Sequence, residues 1–123
     1  MKNIIAVDTT KNSFKINRDL DVSVSVPNMH KGPEKQFDGL NIGIITMDEA
    51  SNDGEVHLSG DEILYVISGE ISLTSDSNPN ESLSLCSGDS CVIKKGEWHK
   101  VNVIEVTQLI YITPGLNNEH RSL

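Results

Sequence analysis

Apolar and polar residues alternate with a period of two along much of this chain, the pattern of strands that bury one face. Phe14 and Ile16, then Val22, Val24 and Val26, stand at every second position, and Pro27 and Lys31-Gly32-Pro33 interrupt the pattern. Residues 1–37 are therefore expected to form short strands joined by irregular loops. Leu40 to Met47 is a β-branched, apolar run and predicts a buried strand. From Gly54 to Thr74, Val56, Ile63 to Ile67 and Ile71 to Leu73 read as two or three strands broken at Gly60 and Gly69. Ser75 to Glu81 is nearly all turn-forming residues and predicts an exposed hairpin loop. Ser82 to Cys86 alternates, Gly88-Asp89 signals a turn, and Cys91 to Ile93, Val101 to Val106 and Leu109 to Ile112 supply the last strands. Pro114-Gly115 is expected to close the ordered core and leave residues 115–123 as a polar tail.

No window carries a helical period. Many short strands at close spacing with Gly and Pro turns predict an all-β sandwich or barrel. The 123 residues suit one domain, with a barrel core over about 38–114, and a 37% hydrophobic fraction is adequate for one packed core. No apolar stretch approaches the roughly 18–20 residues that span a bilayer, and Ile4 to Val7 is too short for a signal-peptide core, so a cytoplasmic location and no membrane partner are expected. Eighteen acidic against 10 basic residues give a net charge of −8, which repels phosphate backbones, so nucleic acid is not an expected partner. Cys86 and Cys91 flank a turn close enough for pairing, but without an export signal two reduced thiols are the expectation.

The residues able to carry chemistry stand out by context. Of the four histidines, His30, His57, His99 and His120, two adjoin tight turns between strands. His57 and Glu62 bracket Leu58-Ser59-Gly60-Asp61, and on the strand that follows Glu62 shares a face with Leu64 and Val66. A carboxylate in line with core aliphatics is costly unless it is paired or bound to a cation. His99 is in the same position: it follows Lys95-Gly96-Glu97 and shares a face with Val101 and Val103. Two imidazoles and a carboxylate facing one centre form a facial set used for Fe(II) and also for Mn, Ni, Zn and Co. His57, Glu62 and His99 are thus candidate metal ligands. Asp61 reads as a turn-former and Trp98 as core or pocket wall. Tyr65 and Ile67 point away from the interior, toward a second sheet or subunit.

These residues carry a family resemblance. Glu55-Val56-His57 through Gly69 resembles the first cupin motif, with His57, Glu62 and Gly69 at the motif positions. Gly88 through Asn102 resembles the second, with Gly88, Gly96 and His99 in place. The sequence departs from the motifs at Glu55, where the family has its first histidine, at Lys94, where it has proline, and at Asn102, which comes one residue early. The resemblance implies a cupin jelly-roll β-barrel, a divalent transition metal (Fe, Mn, Zn or Ni) on His57, Glu62 and His99, a small-molecule ligand or substrate, and a homodimer. It implies a metal-dependent enzyme of the oxygenase or the sugar and small-acid isomerase class. The alternatives are a non-catalytic binding or sensing barrel, or a vestigial one. Glu55 shares a face with His57, and three roles stay open for it: a fourth ligand, a catalytic acid/base facing substrate, or a solvated strand residue.

Overall fold

The computed structural model describes residues 3–26 and 36–123, and within them every regular element is a β-strand. Pro27, His30 and the Lys31-Gly32-Pro33 segment lie outside the described residues. The strands are β1 (Ser13–Asn17), β2 (Val22–Ser25), β3 (Gly39–Met47), β4 (Glu55–His57), β5 (Glu62–Ser75), β6 (Asn78–Cys86), β7 (Ser90–Ile93), β8 (His99–Pro114) and β9 (Asn118–His120). All pairings are antiparallel. One path runs β2-β1-β3-β8-β4-β9, and β5 pairs with β8 while also carrying β6 and β7. The sheet curls on β5 and β8, the two longest strands, into a half-barrel.

Three expectations need correction. The break expected at Gly69 is a bulge inside a continuous 14-residue β5. Between the pairs Ser68–Gln108 and Glu70–Glu105, β8 has two residues where β5 has only Gly69. Gly69 has φ of +91°, and a Cβ there would lie 2.3 Å from the Val106 carbonyl oxygen, so glycine answers both a backbone and a packing demand. Val101 to Val106 and Leu109 to Ile112 are accordingly one 16-residue strand, β8. Second, the loop expected over Ser75 to Glu81 shrinks to the turn Asp76-Ser77, with Ser75 already paired to Asn78. Pro79 is tolerated in β6 because, among the described strands, β6 pairs only with β5. Third, the tail is polar as expected but not structureless: Asn118–His120 forms β9 against β4.

Alternation sorts the side chains onto two faces. Leu64, Val66, Ile71, Leu73, Leu85 and Leu109 are buried inside the curl. Glu62 shares that face and is 2% exposed. The outer face of the same strands is also apolar. Val24, Phe14, Ile42, Ile112, Ile63 and Val92 are successive cross-strand partners from β2 through β1, β3, β8 and β5 to β7. A parallel row joins Ile44, Ile110 and Tyr65. Ile63 and Tyr65 remain about two-fifths exposed at 39% and 43%.

Ile71 is wholly buried at the bulge, whereas Ile104 on β8 is exposed. Ile71→Ala is expected to lower unfolding free energy by about 2–5 kcal/mol, and Ile104→Ala by no more than about 0.5 kcal/mol. Urea denaturation of both variants checks this, and equal losses would contradict the assignment of inner and outer faces.

Candidate metal centre

Two tight turns deliver the site. The β4–β5 turn ends in Asp61, whose carboxylate accepts hydrogen bonds from Lys94 Nζ (2.8 Å) and from the backbone N–H of Lys95 (2.7 Å). The Gly96 N–H donates to the His57 carbonyl at 2.9 Å. Asp61 is thus the turn residue its sequence position suggests, and it locks the loop before β5 to the loop before β8. That lock brings His57, at the end of β4, to Glu62, at the start of β5, and to His99, at the start of β8.

Glu55, His57, Glu62 and His99 come together so closely that one donor atom from each lies within 4.8 Å of all the others. Glu62 sits between the imidazoles, with Oε2 3.1 Å from His57 Nε2 and Oε1 3.1 Å from His99 Nε2. The two rings stand 5.6 Å apart and are tilted by 41°. Glu55 turns inward rather than to water: its Oε1 lies 3.3 Å from His99 Nε2 and 3.9 Å from His57 Nε2. Its Oε2 accepts a 3.4 Å hydrogen bond from Asn52 Nδ2. The Glu55 carboxylate therefore lies beside the cluster. It is nonetheless the most accessible of the four, with 29% of its side chain exposed against 7% or less for the others.

The outer nitrogen of each ring is fixed by an acceptor. His99 Nδ1–H donates to the Glu97 carbonyl at 3.0 Å. His57 Nδ1 lies 2.8 Å from Asn118 Oδ1. Asn118 Nδ2 donates to the Pro114 carbonyl, which only accepts, so the amide presents its oxygen to His57 and the Nδ1 there must donate. Both Nε2 atoms are thereby turned toward the centre, the arrangement that orients histidines on metals. His57 Nε2 is buried and has no hydrogen-bond partner, because Glu62 Oε2 is near it but out of alignment. Asn118 is a site residue that sequence reading missed. It lies in the polar tail, and only the backbone pairing of His57 with Asn118 places it.

Without an ion the cluster holds protons. Burial pushes the His99 imidazole down, but hydrogen bonds to Glu55, Glu62 and the Glu97 carbonyl outweigh it and carry the pKa up to about 10. Burial likewise works against His57, and Glu62, Asn118 and Glu55 raise it above the ordinary value. Burial raises Glu62, but its two histidine partners hold it below the usual carboxylate range.

The cluster opens onto a cavity of about 290 Å³, at the small end of ligand pockets. Glu55, His57 and Glu62 line it at one end and Ile45, Met47, Leu64 and Leu109 form apolar wall. Trp98 is half-buried away from this cavity lining, with the Arg121 guanidinium 4.4 Å over its ring. His120 is exposed on β9, and Cys86 and Cys91 are free thiols. Among the described residues no helix is long and apolar enough to cross a membrane.

No protein-family model and no curated protein matches the sequence. Solved structures do match in fold. The chain is similar to a cupin-2 domain protein from Shewanella frigidimarina at 21% identity and a TM-score of 0.54, over 61% of this chain and 70% of that one. It is similar to a protein from Bacillus halodurans at 17% identity and a TM-score of 0.54, over 71% and 70% of the two chains. Fe(II) HppE, solved in complex with its substrate, matches at 20% identity and a TM-score of 0.50, over 60% of this chain but only 45% of that one. At these identities the likeness is one of fold.

In chelator-treated protein the Glu62–histidine pairing contributes in full between about pH 4.5 and 6.5, the ordinary values of Glu and His. Since the folded His99 value is raised, that contribution is lost as pH climbs from 6.5 through about 10. The melting temperature in excess chelator is expected to fall across that range, with a shallower fall in His99→Gln. Identical slopes for the two proteins would contradict the coupling.

Proposed function

Starting from a small cupin-type fold, we propose that this chain binds one divalent transition metal through His57, Glu62 and His99. In this reading it is a metal-dependent enzyme acting on a small molecule, and Glu55 is its proton-transferring group. The observation that carries the reading is the buried His57 Nε2, without a hydrogen-bond partner, gathered with His99 Nε2 and the Glu55 and Glu62 carboxylates within 4.8 Å. Burying a polar nitrogen without a hydrogen-bond partner costs about 1–3 kcal/mol, a cost that coordination to a cation removes. Two imidazoles and a carboxylate are a donor set for Fe, Mn, Zn or Ni, and the outer hydrogen bonds to Asn118 and Glu97 raise ligand basicity.

When bound, the ion supplies a Lewis acid that polarises a substrate oxygen in the cavity. The chain's own residues do the rest. The apolar wall limits water around the substrate, and Asn52 holds one oxygen of Glu55 so that the other faces the cluster. A carboxylate at the cavity, accessible and not needed to complete the three-residue set, suits proton transfer. This favours isomerisation over oxygenation, the two classes that the cupin resemblance implies. The apolar outer face of β3, β5 and β8 fits a homodimer, because a lone chain would expose a contiguous apolar patch.

Untagged protein purified without added metal is expected to contain close to one transition-metal ion per chain by elemental analysis. His99→Ala should lose most of it while keeping a β-type circular dichroism spectrum, and Asn118→Ala should weaken affinity by about 10–100-fold. Full retention in both His57→Ala and His99→Ala would overturn the site. Glu55→Gln is expected to keep its metal; loss of the ion would make Glu55 a ligand instead of a proton carrier.

Light scattering at micromolar concentration should give twice the chain mass, and Ile63→Asp should give the mass of one chain. A wild-type monomer would refute the dimer.

A further inference from the structure

The end of the cavity away from the metal cluster is polar, and alternation does not account for it. The inward positions of β2, β1 and the adjoining stretches of β3 and β8 line it with Ser25, Ser13, Lys15, Asn41 and Thr113, whereas Ile45, Met47 and Leu109 follow farther along β3 and β8. Lys15 pairs with Asn41, and Asn41 pairs with Thr113. Ile63 pairs with Ile112, so Thr113 and Glu62 are next in that register. Lys15 and Glu62 therefore stand in one row, three strand spacings apart, about 14 Å along the curled sheet.

Among the described residues Lys15 is the one lysine or arginine in the lining, which also carries the carboxylates of Glu55 and Glu62. Among the described residues its ammonium makes no ion pair with an acidic side chain. It rests instead over the Phe37 ring, 4.6 Å from the centroid. A cation–π contact holds an ammonium more weakly than a charge-assisted hydrogen bond, so the group is placed to exchange the ring for an anion. The chain carries a net charge of −8, yet among the described residues no carboxylate is set against this half-buried lysine at the cavity wall.

We propose that Lys15, with Asn41 and the neighbouring hydroxyl groups, forms an anion subsite that receives the carboxylate of a small organic acid whose other end carries the oxygen reaching the metal cluster. The inference rests on the proposed metal site and names the substrate class it takes. A single lysine among hydroxyl and amide donors matches one negative charge. A phosphate ester would call for several cations or a helix N-terminus. The described residues put one lysine in the cavity lining and contain no helix. The cavity volume of about 290 Å³ suits a short-chain acid.

Calorimetric titration of the purified protein with lactate, malate and glutarate, each beside its uncharged amide, tests the subsite. Glycerol phosphate serves as the phosphate probe, and metal content is measured on every sample. At least one acid should bind about tenfold or more tighter than its amide. Lys15→Gln should erase that preference and Lys15→Arg should keep it. No acid preferred over its amide, a preference that survives in Lys15→Gln, or a Lys15-dependent preference for glycerol phosphate over all three acids would each overturn the proposal. One metal per chain without a carboxylate preference defeats this inference alone. A Lys15-dependent preference in protein that holds no metal defeats the metal reading and leaves the subsite standing.

Discussion

Everything at the site depends on one ionised carboxylate buried between two imidazoles. Glu62 is 2% exposed and shares its face with Leu64 and Val66, so water does not stabilise its charge. Desolvation alone would keep it protonated, but His57 and His99 at 3.1 Å reverse that balance and hold it ionised. The same pairing positions the rings and fixes where β4, β5 and β8 begin relative to one another. Removing any one partner leaves an uncompensated charge or an orphaned nitrogen in the interior.

This arrangement needs rigid support, and the support is mostly backbone. Asp61 ties the two loops that precede β5 and β8, and the Gly96 N–H ties the second loop to the His57 carbonyl. β9 adds a third constraint by pairing with β4 and setting Asn118 against His57 Nδ1. The site thus draws on two pairs of neighbouring strands, β4 with β5 and β8 with β9, that are far apart in sequence. The bulge at Gly69 lets β5 and β8 stay paired over nearly their whole length while bending, which closes the sheet around the cavity.

The two faces of the sheet divide the labour. The inner face is apolar around the core, acidic and imidazole-bearing at the cluster, and polar, with Lys15, where β1 and β3 line the cavity. The outer face carries aliphatic residues in unbroken cross-strand rows. Both follow from the same period of two, since shifting any strand by one residue would exchange its faces and move Glu62 or His99 into solvent. The His/Glu cluster and the outer apolar face are therefore consequences of one register.

Local alternation and turn residues were enough to place most of the strands, their buried faces and the convergence of His57, Glu62 and His99. The sequence also marked Glu55 as a site residue without choosing its role. Gly69 was legible as an irregularity, but bulge and strand end look alike in one strand, since the difference lies in what the partner strand does opposite. Ser75 to Glu81 is rich in turn-formers, and only pairing with β5 makes most of it strand. Asn118 and Lys15 had no local signal at all. Asn118 sits in a short polar segment whose structure comes from β4, and Lys15 is one lysine in an alternating stretch. Their positions arise from long-range antiparallel pairing, which sets a tail residue beside His57 and a β1 lysine in the same row as Glu62, and such register is a property of the whole sheet rather than of any segment within it.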